Sequence, residues 1–171
     1  MITQLVLLLR KPHSMIIVHN DIMSDIDSKE FIEYYHNNNQ QEITVNDSVY
    51  RFKGVNIINV FDKFNFLRKI GLKSHMISKI RIQCVDNTIE MVNYPHKHSV
   101  PYSFVCFLND DFSGGELEFE NITFKPKTNQ LIYFTGNEKH FVRNVSIGYR
   151  YTLVCFLKED LFNMKKNDKL I

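Results

Sequence analysis

The chain has little cysteine and no tryptophan. Its three cysteines, Cys84, Cys106 and Cys155, are odd in number, form no CxxC pair and each lie inside an apolar run. A disulfide framework needs paired cysteines, so we predict three buried free thiols in a reducing compartment. The aromatic residues are instead 14 Phe and 8 Tyr, a composition that favours a β-rich core.

Excess charge of one sign and long apolar segments are also missing. The 21 basic and 19 acidic residues leave a net charge of +2, which gives no electrostatic argument for a nucleic-acid partner. The run LVLLL is too short to span a membrane and lacks the preceding basic region of a secretion signal, so we interpret it as a first strand. We therefore expect an intracellular, cytoplasmic protein without a membrane partner.

The length and composition fit one globular domain. A chain of 171 residues with 44% hydrophobic and 23% charged residues can bury a core of its own. No internal repeat, linker or low-complexity boundary divides it. We predict a single domain over residues 1–171, with a support region of helices and strands at 1–79, a strand-rich core at 80–158 and a tail at 159–171.

Helical patterns are confined to the first half of the chain. Helix-capping residues before the segment SKEFIEYYHNN predict one helix, and an apolar stripe over Asn56–Ile70 with Gly71 as its C-cap predicts a second. The segment ITVNDSVYRF predicts a hairpin with Asn46 and Asp47 in its turn. Strands are predicted at 80–85, 88–94, 102–108, 116–119, 121–124, 131–134 and 149–157. Helices followed by many short strands favour helices packed on an antiparallel barrel or double sheet.

The residues that carry chemistry lie in the segments NYPHKHS and KHFVRNVSIGYRYT. His96 and His98 are two apart on an extended segment, so their rings point the same way. His140 lies on a later segment. Three imidazoles on one side of a metal ion leave coordination positions open, as a catalytic metal requires. Arg150 follows His140 by ten residues and would hold a carboxylate in a bidentate pose.

Each of these residues also has a plainer interpretation. His96 and His98 beside Lys97 are compatible with an exposed loop pair or a surface metal site. Arg150 is compatible with an ion pair to an acidic side chain on a neighbouring strand. However, an arginine inside the alternating run YRYTLVCFL is costly to bury without an anion, which favours an anionic ligand. The other histidines are expected to be structural: His13, His19, His36 and His75.

Residues 94–157 resemble the Fe(II)- and 2-oxoglutarate-dependent dioxygenases, most of all the prolyl and lysyl hydroxylase branch. That branch carries a His-x-Asp pair, a strand ending in Leu-Asn and a Gly-Gly turn. Here His96 takes the first position, Leu108 and Asn109 end the strand, and Gly114 and Gly115 form the turn. The resemblance covers a little over a third of the chain. It depends on the order of these motifs along the sequence and not on any single motif.

The second half of the pattern is a distal histidine, an arginine ten residues later and a Ser or Thr two beyond. His140, Arg150 and Thr152 take these positions. The position of the usual aspartate, however, is occupied by His98. The ligands would then be three neutral imidazoles, which makes the site more positive and removes a hard oxygen donor. Zinc or another divalent ion is therefore an alternative to Fe(II).

The resemblance implies an α+β fold: a double-stranded β-helix (jelly-roll, cupin-like) core with N-terminal helices packed on one sheet. It implies Fe(II) as the metal and 2-oxoglutarate as the co-substrate, with ascorbate as a further candidate. The implied catalytic and metal ligands are His96, His98 and His140. The implied co-substrate residues are Arg150 and Thr152, supported by Tyr94 and Asn109.

The implied activity is that of a hydroxylase acting on a peptidyl prolyl or lysyl residue, or on a small molecule. The missing aspartate keeps open a second hypothesis, an inactive relative that binds metal and serves as a binding or structural protein. A nucleic-acid demethylase is disfavoured by the balanced charge and by the short distance in sequence from His140 to Arg150. The sequence does not identify the substrate or the oligomeric state.

Overall fold

The structure is a computed structural model that describes residues 5–11, 14–45, 50–89 and 95–162. Its helices are α1 (Asp25–Asn37) and α2 (Asn65–Lys69), with single 3-10 turns at Phe61–Lys63 and Ser74–Met76. Its strands are β1 (Leu5–Lys11), β2 (Ser14–His19), β3 (Gln41–Val45), β4 (Tyr50–Asn56), β5 (Ile77–Asp86), β6 (Tyr102–Phe107), β7 (Ser113–Gly114), β8 (Leu117–Phe119), β9 (Ile122–Phe124), β10 (Leu131–Thr135), β11 (His140–Val142), β12 (Val145–Ile147) and β13 (Tyr149–Leu157).

The major sheet has eight antiparallel strands in the order β1-β2-β10-β6-β13-β5-β4-β3. Two smaller sheets, β11-β8-β9 and β12-β7, are built from the short strands between β6 and β13. This arrangement is the double-stranded β-helix that the resemblance implied. The strands of the first 79 residues extend the major sheet at both edges, β1 and β2 on one side and β3 and β4 on the other.

The two faces of the major sheet are covered differently. On one face, residues of α1 and of segment 57–76 pack with the inward side chains of β5, β6 and β13 into the larger apolar core. On the other face, a smaller apolar cluster joins β2, β6 and β10 to β8 and β9. Because side chains alternate along a strand, neighbouring residues of β5 and β13 face these two environments in turn.

Helix α1 confirms the first predicted helix but begins at Asp25, three residues before the predicted segment SKEFIEYYHNN, with Ser24 as its N-cap. The Ser24 hydroxyl oxygen accepts from the Asp27 N–H at 3.2 Å, and the Asp27 carboxylate accepts from the Ser24 N–H at 3.0 Å. This reciprocal capping box satisfies two backbone donors at the start of the helix. Phe31 and Tyr35 on its inner side are buried in the larger core.

The predicted second helix over Asn56–Ile70 is wrong, because only Asn65–Lys69 is α-helical. Asn56 instead ends β4, and its side-chain oxygen accepts from the Ile58 N–H at 3.0 Å in a local turn. The segment VNIINV is rich in β-branched residues, which lose rotamer freedom in a helix. Gly71 follows α2 with a φ of 77°, in the left-handed conformation of a helix C-terminus, as predicted.

Other sequence predictions have mixed outcomes. The hairpin of β3 and β4 is confirmed, although its turn at Asn46 and Asp47 lies outside the described residues. Of the strand predicted at 88–94, residues 90–94 also lie outside them, and Thr88 follows β5 in a turn. The three cysteines are buried free thiols, as predicted. Within the described ranges, no helix combines the length and apolar character needed to cross a membrane.

Candidate active site

Three histidines meet at the edge of the smaller sheets. The backbones of His96 and His140 pair through two hydrogen bonds, from His96 N–H to His140 O at 3.0 Å and from His140 N–H to His96 O at 3.1 Å. The N–H of His98 donates to Gly136 O at 3.0 Å. One ligand atom from each ring lies within 4.8 Å of those from the other two. Small ring rotations would bring three such atoms to a single ion.

A close backbone approach at Gly136 holds the loop that carries His98. The Gly136 N–H donates to Pro101 O at 2.8 Å. A Cβ added at Gly136 would overlap the Val100 carbonyl oxygen and would lie 3.0 Å from the His98 carbonyl oxygen. Only glycine fits there, so Gly136 helps to position a candidate ligand.

Burial keeps two of these imidazoles, those of His98 and His140, neutral. Burial, together with the charges of His140, His96 and Arg81, lowers the pKa of His98 to about 3. Burial and the charge of His96 lower the pKa of His140 to about 4, although its hydrogen bond to the Glu138 carbonyl opposes this. Neutral imidazole is the form that binds metal ions.

Hydrogen bonds also fix the orientation of two of the rings. His140 Nδ1 lies 2.8 Å from the Glu138 carbonyl oxygen, which can only accept, so Nδ1 carries the proton and Nε2 keeps its lone pair. His98 Nδ1 is hydrogen-bonded to the buried Ser103 hydroxyl at 2.7 Å. Partners of this kind orient the ligands of protein metal sites.

Arg150 is a buried cation with incomplete pairing. Its side chain is 2% exposed, and burial lowers its pKa to about 10, so it remains charged at neutral pH. Its Nε donates to Gly115 O at 2.9 Å, its Nη1 donates weakly to Thr152 Oγ1 at 3.4 Å, and its carbon Cζ lies 5.2 Å from the centre of the Phe107 ring. Its Nη2 is buried and has no hydrogen-bond partner among the described residues. A buried guanidinium left in this way is suited to an anion.

Gly115 is shaped to receive this arginine. Its φ is 69°, and a Cβ added there would lie 2.7 Å from the Arg150 Cδ. Any other residue would therefore be strained and would push against the guanidinium. The Gly-Gly turn of the family pattern thus also contacts the predicted co-substrate residue.

The histidines and Arg150 line one cavity of about 470 Å³ between the major sheet and the smaller ones. Its apolar walls are formed by Ile43, Phe52, Val85, Val100, Val105, Leu117, Val142, Val154 and Phe156. Its polar lining is formed by Ser78, Lys79, Arg81, Gln83, His96, Lys97, His98, Ser99, His140 and Arg150. Among the described lining residues there are four basic side chains and no acidic one. The cavity is therefore a site for an anionic ligand beside a candidate metal centre.

A known protein family matches the part of the chain that forms this site. Residues 85–158 match the 2OG-Fe(II) oxygenase superfamily. That stretch contains the histidines, the Gly-Gly turn and Arg150. The predicted resemblance to the Fe(II)- and 2-oxoglutarate-dependent oxygenases is therefore confirmed. No curated protein sequence is significantly similar to the chain.

Solved structures of such oxygenases share the fold of this chain at low sequence identity. An oxidoreductase of the 2OG-Fe(II) oxygenase family from Burkholderia pseudomallei is 16% identical over 87% of this chain and 86% of its own, with a TM-score of 0.62. A prolyl hydroxylase from Trichoplax adhaerens, solved with a hypoxia inducible factor peptide fragment, is 14% identical over 83% and 82%, with a TM-score of 0.63. A prolyl 4-hydroxylase from Phytophthora capsici is 14% identical over 91% of this chain and 62% of its own, with a TM-score of 0.61.

The residues present fit the metal and co-substrate of an oxygenase of this kind. Three neutral imidazoles are donors that Fe(II), zinc and other divalent ions accept. The unpartnered Arg150 Nη2 and the adjacent Thr152 hydroxyl suit the carboxylate of 2-oxoglutarate. His98, which we predicted at the position of the family's aspartate, belongs to the same cluster as the other two histidines.

The remaining predicted site residues lie elsewhere. Tyr94 is outside the described residues. Asn109 ties the end of β6 to β13: its amide nitrogen donates to Tyr149 O at 2.7 Å and its oxygen accepts from the Tyr151 N–H at 2.8 Å. It is not among the residues that line the cavity. Its predicted contact with the co-substrate therefore stays a prediction.

Sequence reasoning missed three residues that line or support the cavity: Arg81, Gln83 and Ser103. Arg81 and Gln83 alternate with buried apolar residues in the β5 segment KIRIQCV, and both are more than nine-tenths buried. The argument that favoured an anion for Arg150 applies equally to Arg81, since both arginines interrupt an alternating apolar strand. Ser103 gave no local signal, because its importance depends on a contact with the loop of His98.

Proposed function

We propose that this protein is an Fe(II)- and 2-oxoglutarate-dependent dioxygenase with a three-histidine metal site, and that it hydroxylates a peptidyl prolyl or lysyl residue. One observation carries the proposal: three imidazoles, two of them held neutral by burial, line the same cavity as a buried guanidinium with a free hydrogen-bond donor. The family match over residues 85–158 supports the same chemistry.

His96, His98 and His140 would hold the metal ion. The Glu138 carbonyl directs Nε2 of His140 away from its own hydrogen bond, and the Ser103 hydroxyl fixes the ring of His98. The remaining coordination positions stay open to small ligands, because three protein donors do not complete the shell. When bound, Fe(II) and 2-oxoglutarate together would activate molecular oxygen, which is the oxidant for hydroxylation. None of the described cavity residues gives a reason to add ascorbate.

Arg150 would hold the distal carboxylate of 2-oxoglutarate. Its Nη2 would donate to one oxygen, and its Nη1 and the Thr152 hydroxyl lie beside it. Gly115 and the Phe107 ring keep the guanidinium in position before the co-substrate arrives. The apolar wall formed by Val105, Leu117 and Val154 excludes water, which strengthens a charge-assisted hydrogen bond.

A peptide substrate is supported by analogy. The Trichoplax adhaerens prolyl hydroxylase that shares this fold was solved with a peptide fragment bound. The cavity volume of about 470 Å³ accommodates a co-substrate and one side chain of a peptide.

The direct test is turnover of the co-substrate. The protein is purified without oxygen, loaded with Fe(II), and supplied with 2-oxoglutarate, oxygen and a set of prolyl and lysyl peptides. We expect stoichiometric metal, formation of succinate, and a product peptide heavier by one oxygen atom. The variant His140→Ala serves as the control and should lose both metal and succinate. Metal and 2-oxoglutarate binding without succinate from any peptide would overturn the proposal.

The inactive-relative hypothesis has one observation in its favour, namely that His98 replaces the usual aspartate. The variant His98→Asp distinguishes the two hypotheses. If His98→Asp forms succinate while the natural chain forms none, the histidine prevents turnover at the metal and the inactive-relative hypothesis is supported. If it loses activity while the natural chain is active, three histidines are the working ligand set.

A further inference from the structure

The cavity contains a second buried arginine, Arg81, in addition to Arg150. Arg81 lies on β5, where it pairs with Val154 of β13, whereas Arg150 pairs with Val85. Four residues of strand separate the two positions, which is about 13 Å along the sheet. The Arg150 guanidinium contacts Thr152 and Phe107, whereas the Arg81 guanidinium contacts Phe52 and Phe156, so different side chains hold each of them.

Arg81 is held rigidly in this position. Its Cζ lies 4.9 Å from the centre of the Phe52 ring and 5.4 Å from that of Phe156, so that both rings make cation–π contacts. When the Gln83 amide is turned so that its oxygen faces the guanidinium, that oxygen accepts from Arg81 Nε and from Nη2, the latter at 2.9 Å. The side chain is 7% exposed. It forms no ion pair with an acidic side chain of the described residues.

Arg81 also lies beside the candidate metal centre. The ring of His98 is 4.6 Å from that of Phe156, the same ring that Arg81 contacts. A group bound to Arg81 would therefore lie next to the histidines. This is the part of the cavity left for the primary substrate once Arg150 has engaged the co-substrate.

The basic side chains that line the cavity favour an anionic group beside Arg81. Lys79, Arg81, Lys97 and Arg150 line the cavity, and the family's aspartate has been replaced by the neutral His98. The two carboxylates of 2-oxoglutarate would offset only part of the charge of a divalent ion and two buried arginines. A desolvated guanidinium without a counter-ion is costly, and a carboxylate matches its planar fork.

We propose that Arg81, oriented by Gln83, binds a carboxylate of the primary substrate, so that this enzyme selects an acidic substrate. The carboxylate belongs either to a free acid or to an acidic side chain next to the hydroxylated residue of a peptide. This inference rests on the proposed function, because it assigns Arg150 to the co-substrate.

The test compares acid and amide probes of equal size. The full chain is loaded with Mn(II) and saturated with 2-oxoglutarate without oxygen, and binding is followed by ligand-observed NMR. One probe pair is N-acetyl-proline and N-acetyl-prolinamide. The other is the capped dipeptide Pro-Asp and its Pro-Asn counterpart. We expect the acid of at least one pair to bind roughly tenfold to a hundredfold more tightly than its amide. The pair that shows this preference identifies the source of the carboxylate.

Three variants assign the preference to Arg81. Arg81→Gln should abolish it and leave 2-oxoglutarate affinity unchanged, whereas Arg81→Lys should retain part of it through its charge. Lys53→Gln is the matched control, since it removes the same charge from an exposed residue of the neighbouring strand β4 that does not line the cavity. It should change the preference less than twofold. Thermal unfolding checks that each variant is folded.

The outcomes separate this inference from the proposed function. If the natural chain binds 2-oxoglutarate but shows no acid preference, or if the preference survives in Arg81→Gln, the inference is overturned alone. If Arg81→Gln weakens 2-oxoglutarate as much as Arg150→Gln does, Arg81 belongs to the co-substrate site and the inference is overturned. If the natural chain does not bind 2-oxoglutarate at all, the proposed function fails first.

Discussion

The two faces of strands β5 and β13 are equally buried but chemically opposite. On the face toward the helices, Ile82 and Leu153 are fully buried in a continuous apolar core. On the face toward the cavity, Arg81 and Arg150 are 7% and 2% exposed. Burial alone therefore does not distinguish a structural face from a functional one. The distinguishing feature is whether each buried side chain has a packing partner or a counter-ion within the protein.

This difference has an energetic consequence. Apolar side chains on the helix face gain free energy from leaving water and from close packing. Buried guanidiniums on the cavity face lose hydration that only an anion can replace. We infer that the helix face stabilises the fold, while the cavity face holds binding groups at a cost that a ligand would offset.

The largest effect is expected from breaking the helix face. Leu153→Ala should lower the free energy of unfolding by about 2–5 kcal/mol, because it leaves a cavity in a closely packed core. Urea unfolding of the ligand-free chain measures this change. Val154→Ala, one residue along on the cavity face, is the matched control and should cost less, since its side chain already borders open space. Equal losses at both positions would contradict the comparison.

A change on the cavity face should separate stability from binding. Arg150→Met should alter the free energy of unfolding of the ligand-free chain by about 1 kcal/mol or less, because a buried cation without an anion contributes little. It should weaken 2-oxoglutarate binding roughly tenfold to a hundredfold, since a charge-assisted pair is lost. The measurements are urea unfolding with and without 2-oxoglutarate and calorimetric titration of the Mn(II)-loaded protein.

The conservative variant Arg150→Lys completes this test. It keeps the charge but loses the planar fork, so its affinity for 2-oxoglutarate should fall between those of the natural chain and Arg150→Met. A loss of stability in Arg150→Met as large as that in Leu153→Ala would mean that Arg150 is part of the packed structure and not a waiting ligand group.

Local patterns predicted the elements whose shape depends on neighbours in sequence. Strand β13 has the predicted bounds because no turn residue interrupts its run of aromatic, β-branched and other apolar residues over Tyr149–Leu157. Helix α1 was predicted because its capping residues precede an apolar stripe. The helix predicted over Asn56–Ile70 was wrong. The apolar residues of this segment pack into the core from three different elements: a strand end, a turn and a short helix. The apolar stripe in the sequence therefore reflects burial by tertiary packing and not one continuous helix.

The sequence predicted those residues of the candidate site that belong to the family pattern. His96, His98 and His140 were found from their spacing and from the family pattern, and the structure brings them within reach of one another. The contact of Gly115 with Arg150 spans 35 residues and has no local signature. Arg81 had a signature, an arginine inside an alternating apolar strand, but the motif that drew attention to Arg150 does not extend to β5.

The smallest effect tests how the cavity face holds a ligand of the metal. Ser103→Ala removes the hydroxyl that contacts His98 Nδ1 and should weaken metal binding roughly tenfold, because an outer partner fixes the ring orientation. Competition with a metal-binding dye under anaerobic conditions measures this change. Ser146→Ala is the control, since that exposed serine contacts only the Ser113 carbonyl among the hydrogen bonds of the described residues. Unchanged metal affinity in Ser103→Ala would mean that packing against Phe156 and Phe134 orients His98 by itself, and the hydroxyl would then serve only to satisfy a buried nitrogen.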